Sequence, residues 1–139
     1  MMNKNLYRNI TSCFCILVAA ILFTACQKEN TNLPDTSNEP PLVKIIKPTQ
    51  PEYYRSGENI CVVANASSQN QLSRVVLTIL KAETEQICSR IDYPVNGNTF
   101  LLDTEIPVTS AMRGNCALQI EARDVYGNRA IARQSISAE

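Results

Sequence analysis

The sequence predicts an all-β domain of seven short strands in two facing antiparallel sheets, carried behind a removable leader and a flexible tether. Three observations lead there. From Leu42 onward, apolar residues recur at every second position in short runs, the period of a strand with one buried face. Turn-forming residues break these runs: Pro48, Gly57, Pro107 and the stretch from Asp124 to Asn128. No stretch carries apolar residues at the three- and four-residue spacing of a helix.

Taken in order, Val43 and Ile45 alternate before Pro48, and Ile60, Val62 and Ala64 alternate after Gly57. Val75, Leu77 and Ile79 share one side of the third run, and Ile87 and Ile91 one side of a weaker fourth. Phe100, Leu102 and Ile106 form the fifth, ended by Pro107. Leu118, Ile120 and Ala122 form the sixth, before Asp124. The last run, from Asn128 to Ser137, holds Ala130, Ile131, Ala132 and Ile136 and leaves its register open. Seven short strands at this spacing fit a sandwich of immunoglobulin type.

Four segments carry a family resemblance. Pro41–Pro48 resembles the first strand of bacterial Ig-like domains, Gly57–Ala64 the second and Gln71–Leu77 the third. Leu118–Asn128 resembles their penultimate strand and final hairpin. Such domains serve in adhesion, in carbohydrate-binding assemblies and as spacers, so the resemblance implies a fold more than a task.

Ahead of the domain, Met1–Arg8 carries Lys4 and Arg8 and no acid, and Ile10–Ala25 is apolar or small. A membrane-spanning helix needs about 20 apolar residues. This shorter run, followed by Gln27–Asn30, reads as a secretory signal peptide. Its exit, Leu22-Phe23-Thr24-Ala25-Cys26, resembles the lipobox of bacterial lipoproteins, with Phe23 where an aliphatic residue is usual. The resemblance implies that residues 1–25 are removed and that Cys26, linked to diacylglycerol, becomes the new N-terminus. Each buried acyl methylene contributes about 0.8 kcal/mol, and two or more chains anchor stably. Residues 26–41 form the tether: from 27 on they are polar or Pro apart from Leu33, and as a coil reach on the order of 20 Å. Gln27-Lys28-Glu29 is similar to the tag behind the cysteine in surface-exported lipoproteins of Bacteroidota-type bacteria. That implies the outer membrane, with the cell surface weighed above the periplasmic face. The domain itself occupies residues 42–139.

Composition narrows the chemistry. The chain has no His and no Trp, which excludes a histidine base, Ser-His-Asp and Cys-His pairs, and imidazole metal ligands. Thirteen basic residues balance thirteen acidic ones. Loss of Lys4 and Arg8 with the leader leaves 11 against 13, a net charge of −2 with no nucleic-acid footprint. The expectation is a protein with no enzymatic activity, no cofactor and no metal. Its partners are a membrane, through acyl chains on Cys26, and a protein or glycan whose chemistry the sequence leaves open.

A few residues could carry more. Asp124-Val125-Tyr126-Gly127-Asn128 reads as a hairpin turn, with a calcium ligand set as the weaker alternative, since calcium takes six to eight oxygens and only Asp124 is local. Once Cys13 and Cys15 leave and Cys26 is acylated, Cys61, Cys88 and Cys116 remain, an odd number. Cys61 and Cys116 lie on the second and sixth strands, where many Ig domains place their inter-sheet disulfide. Strand parity, however, points Cys61 outward and Cys116 inward. Tyr53, Tyr54 and Tyr126 are the aromatics that could touch a partner or stack on a sugar, against a simpler role in closing the ends of the domain. Glu83 and Glu85 read as solvated turn residues. Two functions follow: a non-catalytic envelope module for adhesion or as an accessory subunit of an envelope complex, or a carbohydrate-binding accessory lipoprotein that uses the three tyrosines.

Overall fold

The computed structural model describes residues 38–49 and 52–139. The leader, Cys26 with its flanking residues, and the tether up to residue 37 lie outside the described residues. Six strands follow: β1 (Leu42–Lys47), β2 (Glu52–Tyr54), β3 (Asn59–Lys81), β4 (Ile87–Pro107), β5 (Gly114–Asp124) and β6 (Arg129–Ala138), with a 3-10 turn at Ser110–Met112.

The two expected sheets are one. The strands form a single six-stranded sheet in the order β1-β3-β5-β6-β2, with β4 paired to β3. This curled sheet, a half-barrel, replaces the two-sheet immunoglobulin-like sandwich. The cause lies in two long strands, β3 of 23 residues and β4 of 21. They pair antiparallel from Asn59↔Pro107 to Leu80↔Ile87. The second and third expected strands are therefore the two arms of β3, and the fourth and fifth the two arms of β4. The polar stretch Ser67–Gln71 resembles a loop in sequence, yet it contains neither Gly nor Pro to end a strand. The chain stays extended there, with register irregularities between Ser67 and Arg74. Such irregularities bend and twist a ladder without ending it. Pro94 and Gly97 sit on β4, whose only partner among the described residues is β3; a proline that donates nothing is tolerated on such an edge strand.

The inward residues form one core. Ile60, Val62, Ala64 and Ala66 from the first arm of β3 join Val75, Leu77 and Ile79 from its second arm. Leu102, Ile106, Leu118, Ile120, Ala122 and Ile136 belong to it as the two-residue period predicts, and Tyr54, Leu72, Val108, Met112, Cys116 and Ala138 join them. Two details differ. Ile87, read as inward, is 55% exposed because it starts the edge strand. Ile131 is exposed as well, so β6 faces the core through Ala130, Ala132 and Ile136. The short β2 was unforeseen. It runs parallel to β6, Glu52↔Ile136 to Tyr54↔Ala138, and the Glu139 N–H donates to the Tyr54 carbonyl at 3.1 Å.

Candidate functional site

The Asp124 turn is fully used by the chain itself. Asp124 is buried. One carboxylate oxygen accepts from the Tyr126 N–H at 3.0 Å and the Asn128 N–H at 2.8 Å. The other accepts from Asn70 Nδ2 and Asn128 Nδ2, both at 2.9 Å. Gly127 supplies the positive φ of 88° that closes the turn. Burial, the largest single influence, pushes the carboxyl pKa up, and the donors from Asn70, Asn128 and Tyr126 together outweigh it, so the pKa lies below the ordinary value. N–H groups aimed at both oxygens are a poor setting for calcium. Among the described residues no group of three His, Cys, Asp or Glu gathers to hold a metal. Asn70 is the partner that sequence reasoning missed; it is brought to Asp124 by the bend of β3.

The three tyrosines do not meet. Tyr54 is buried, its hydroxyl donating to Glu52 at 2.5 Å. Tyr53 is exposed beside Ser137, near the end of β6. Tyr126 is exposed in the turn that precedes β6. The length of β6, ten residues or roughly 30 Å, separates the two exposed rings. They cannot form one stacking platform.

The three described cysteines, Cys61, Cys88 and Cys116, are free thiols. Cys61 is half-exposed and Cys116 is buried, as parity predicts. The Cys88 and Cys116 thiols donate to the neighbouring carbonyls of Ala111 and Met112, each at 3.1 Å. Burial first, then the nearby Cys88 thiol, raises the Cys116 pKa. Iodoacetamide at mild alkaline pH should therefore label Cys61 and Cys88 in the native protein, and Cys116 only after denaturant is added. Mass spectrometry of the labelled peptides checks this, and equal labelling of all three would contradict the burial of Cys116.

The remaining feature is the outer face of the second arm, where β4, β3, β5 and β6 lie side by side. Register places Arg74 opposite Arg123 and Arg123 opposite Arg129, three arginines in one row across adjacent strands. The next row reads Asp92, Val76, Glu121 and Ile131, and the one after it Arg90, Thr78, Gln119 and Arg133. Ion pairs link the rows: Arg90 to Asp92 and Arg123 to Glu121, each at 3.1 Å, and Arg74 to Asp92 at 3.9 Å. Arg133 Nε donates to Gln119 at 2.8 Å. The long side chains shield Val76 and Thr78, which are buried although they point outward. Like charges directly opposite each other in a sheet are destabilising, by roughly 0.2–1 kcal/mol per pair. Arg123 Nε is also buried with no hydrogen-bond partner among the described residues. The sequence signal that could have found this face is the charged residues at outward positions, Glu121 and Arg123 on β5 and Arg129 and Arg133 on β6, visible once the register is known. Two hollows, of about 310 and 290 Å³, lie elsewhere and are lined by none of the three tyrosines.

No family model matches the chain, and no curated protein matches it. Solved structures similar to it include the fibronectin(III)-like modules of Clostridium thermocellum CbhA: 17% identity, TM-score 0.50, covering 72% of this chain and 47% of that one. An engineered protein matches at 15% identity and TM-score 0.48, over 71% of this chain and 20% of the other. A chitin binding domain from Burkholderia pseudomallei matches at 14% identity and TM-score 0.44, over 65% of this chain and 57% of the other. This chain thus spans less than half the length of the first two. At such identities the likeness is one of fold, that of a small β-rich domain. The resemblance to bacterial Ig-like domains and to Bacteroidota-type lipoproteins is withdrawn, since the sheet is single and no family model supports it.

Proposed function

We propose that the chain is a membrane-tethered, non-catalytic accessory module that binds a carbohydrate polymer. The observation that supports this best is the open polar lattice on the outer face of β4, β3, β5 and β6. Guanidinium donors at Arg74, Arg90 and Arg133 alternate there with the acceptors Asp92, Gln119 and Glu121, all fixed on strands. A sugar hydroxyl both donates and accepts, so it needs such a mixture. An open face also lets a polymer run past its edges, whereas small molecules are usually held in concave pockets.

The tether rests on the sequence. A basic start, a short apolar run, small residues and Cys26 stand in the order that acylation requires. Anchoring in a membrane by acyl chains would present the domain to polymers at the envelope without a spanning helix. When the full chain is expressed in a bacterium fed a labelled fatty acid, the label should enter the protein and the protein should fractionate with membranes. Cys26→Ser should abolish the label and release the product; an unlabelled wild-type protein would end the anchor proposal. For the binding role, the full chain carrying Cys26→Ser is screened on an array of plant, bacterial and animal polysaccharides. Retention on at least one polymer is expected, and retention on none would remove the carbohydrate reading.

A further inference from the structure

We infer that the carbohydrate taken by this face is an acidic one, a uronate-bearing polymer whose carboxylates dock on the Arg74–Arg123–Arg129 row. This rests on the carbohydrate reading above and narrows its substrate class. Half of the Lys and Arg residues from position 38 onward lie on this one face, as Arg74, Arg90, Arg123, Arg129 and Arg133, although the mature chain is net acidic. Within the row, the three arginines stand on adjacent strands, and neighbouring strands lie about 4.8 Å apart. That interval is close to the length of one pyranose unit, so the carboxylates of a uronate chain recur on the scale of the row. A guanidinium pairs a carboxylate through its N–H groups, and the exposed N–H groups of this row are placed to take carboxylates.

The chain leaves this demand unmet. Arg74 and Arg123 each reach one carboxylate, Asp92 and Glu121, and both of those belong to the neighbouring row. Arg123 Nε is buried with no acceptor among the described residues, while the side chain as a whole is 39% exposed, so a ligand meets its terminal nitrogens. Lining up like charges works against folding, and a bound polyanion removes that repulsion. The two carboxylates argue for a sugar over a phosphate polymer or an anionic bilayer. Asp92 and Glu121 would repel a continuous sheet of phosphates, yet they accept well from the hydroxyls that a uronate chain carries between its carboxylates.

The test uses the full chain in nonionic detergent with polygalacturonate oligomers, titrated calorimetrically at low and high salt. Binding should weaken as salt rises, because exposed charge pairs are screened. Combined Arg74→Gln, Arg123→Gln and Arg129→Gln should weaken it at least tenfold. Lys44→Gln with Lys47→Gln, exposed on β1, should leave it unchanged. The thermal midpoint of the triple variant should equal or exceed that of the wild type, which separates lost binding from lost folding. Arg129→Gln alone, at the exposed start of β6, should cost several-fold and serves if the triple variant fails to fold. Undiminished binding by the arginine variants overturns the inference. Tight binding of neutral chitin or glucan oligomers with no dependence on the arginines overturns it too, but leaves the carbohydrate reading standing. No binding to any glycan ends both. Equal, arginine-dependent binding to DNA or to phosphatidylglycerol vesicles rejects the sugar assignment in favour of an unselective polyanion surface.

Discussion

Asp124→Ala should lower the free energy of unfolding by about 3 kcal/mol, with loosening concentrated where β5 turns into β6. Four donors converge on that carboxylate, two from the turn backbone and two from the side chains of Asn70 and Asn128. Hydrogen bonds to a charged group contribute about 1.5–3 kcal/mol each, and donors left without an acceptor in a buried site add a desolvation cost. Water can rescue the turn N–H groups in part, which keeps the total below the sum of four. The effect reaches beyond the turn, since Asn70 lies at the bend of β3 and loses its anchor as well. Urea denaturation at neutral pH measures the change. A loss under 1 kcal/mol would mean that the turn is held by its Gly127 conformation alone.

The same carboxylate makes stability depend on acidity. Its pKa is lower folded than unfolded, so its contribution is complete above the unfolded value of about 3.9. The contribution is lost as the pH falls through the depressed folded pKa. Unfolding midpoints should drop below about pH 4 in the wild type, and more shallowly in Asp124→Asn, which keeps the shape of the side chain and cannot ionise.

Leu77→Ala should cost about 2–5 kcal/mol, the range for a large aliphatic truncated inside a packed core. Leu77 has no exposed surface. In register it lies between Ile91 of β4 and Ile120 of β5, on the second arm of β3 and within the core that joins both arms. Neighbours fixed on three hydrogen-bonded strands can collapse into the vacated space only slightly. Leu101→Ser is the matched control. Leu101 is 64% exposed on the outer side of β4, and its substitution should stay within about 0.5 kcal/mol. Paired denaturation curves decide the matter; similar costs at the two positions would refute the inward and outward assignment.

Strand parity was legible in the sequence because a two-residue period is a local property. It placed Ile60, Val62, Leu77, Ile79, Leu118 and Ile120 inward and Cys61 outward before any contact was known. Connectivity between runs was not legible. Nothing local separates a loop at Ser67–Gln71 from a bent strand, because the partner on β4 decides which one forms. β2 was missed for a related reason: three residues are too few to show a period, and β2 exists only because the end of β6 offers an edge. The arginine row was hidden by distance along the chain. Arg74, Arg123 and Arg129 become neighbours only through the β3–β5–β6 register, and tyrosines that looked adjacent in function fell at opposite ends of β6.

The continuity of β3 also determines how the domain can come apart. A sandwich of separate sheets can lose one layer and keep the other, but here each amide ladder on one arm extends into the other along the same backbone. Neither arm then makes an autonomous foldon. Deep amides at Val62 and at Ile79, on opposite arms, should exchange with deuterium at one common free energy, equal to that of global unfolding.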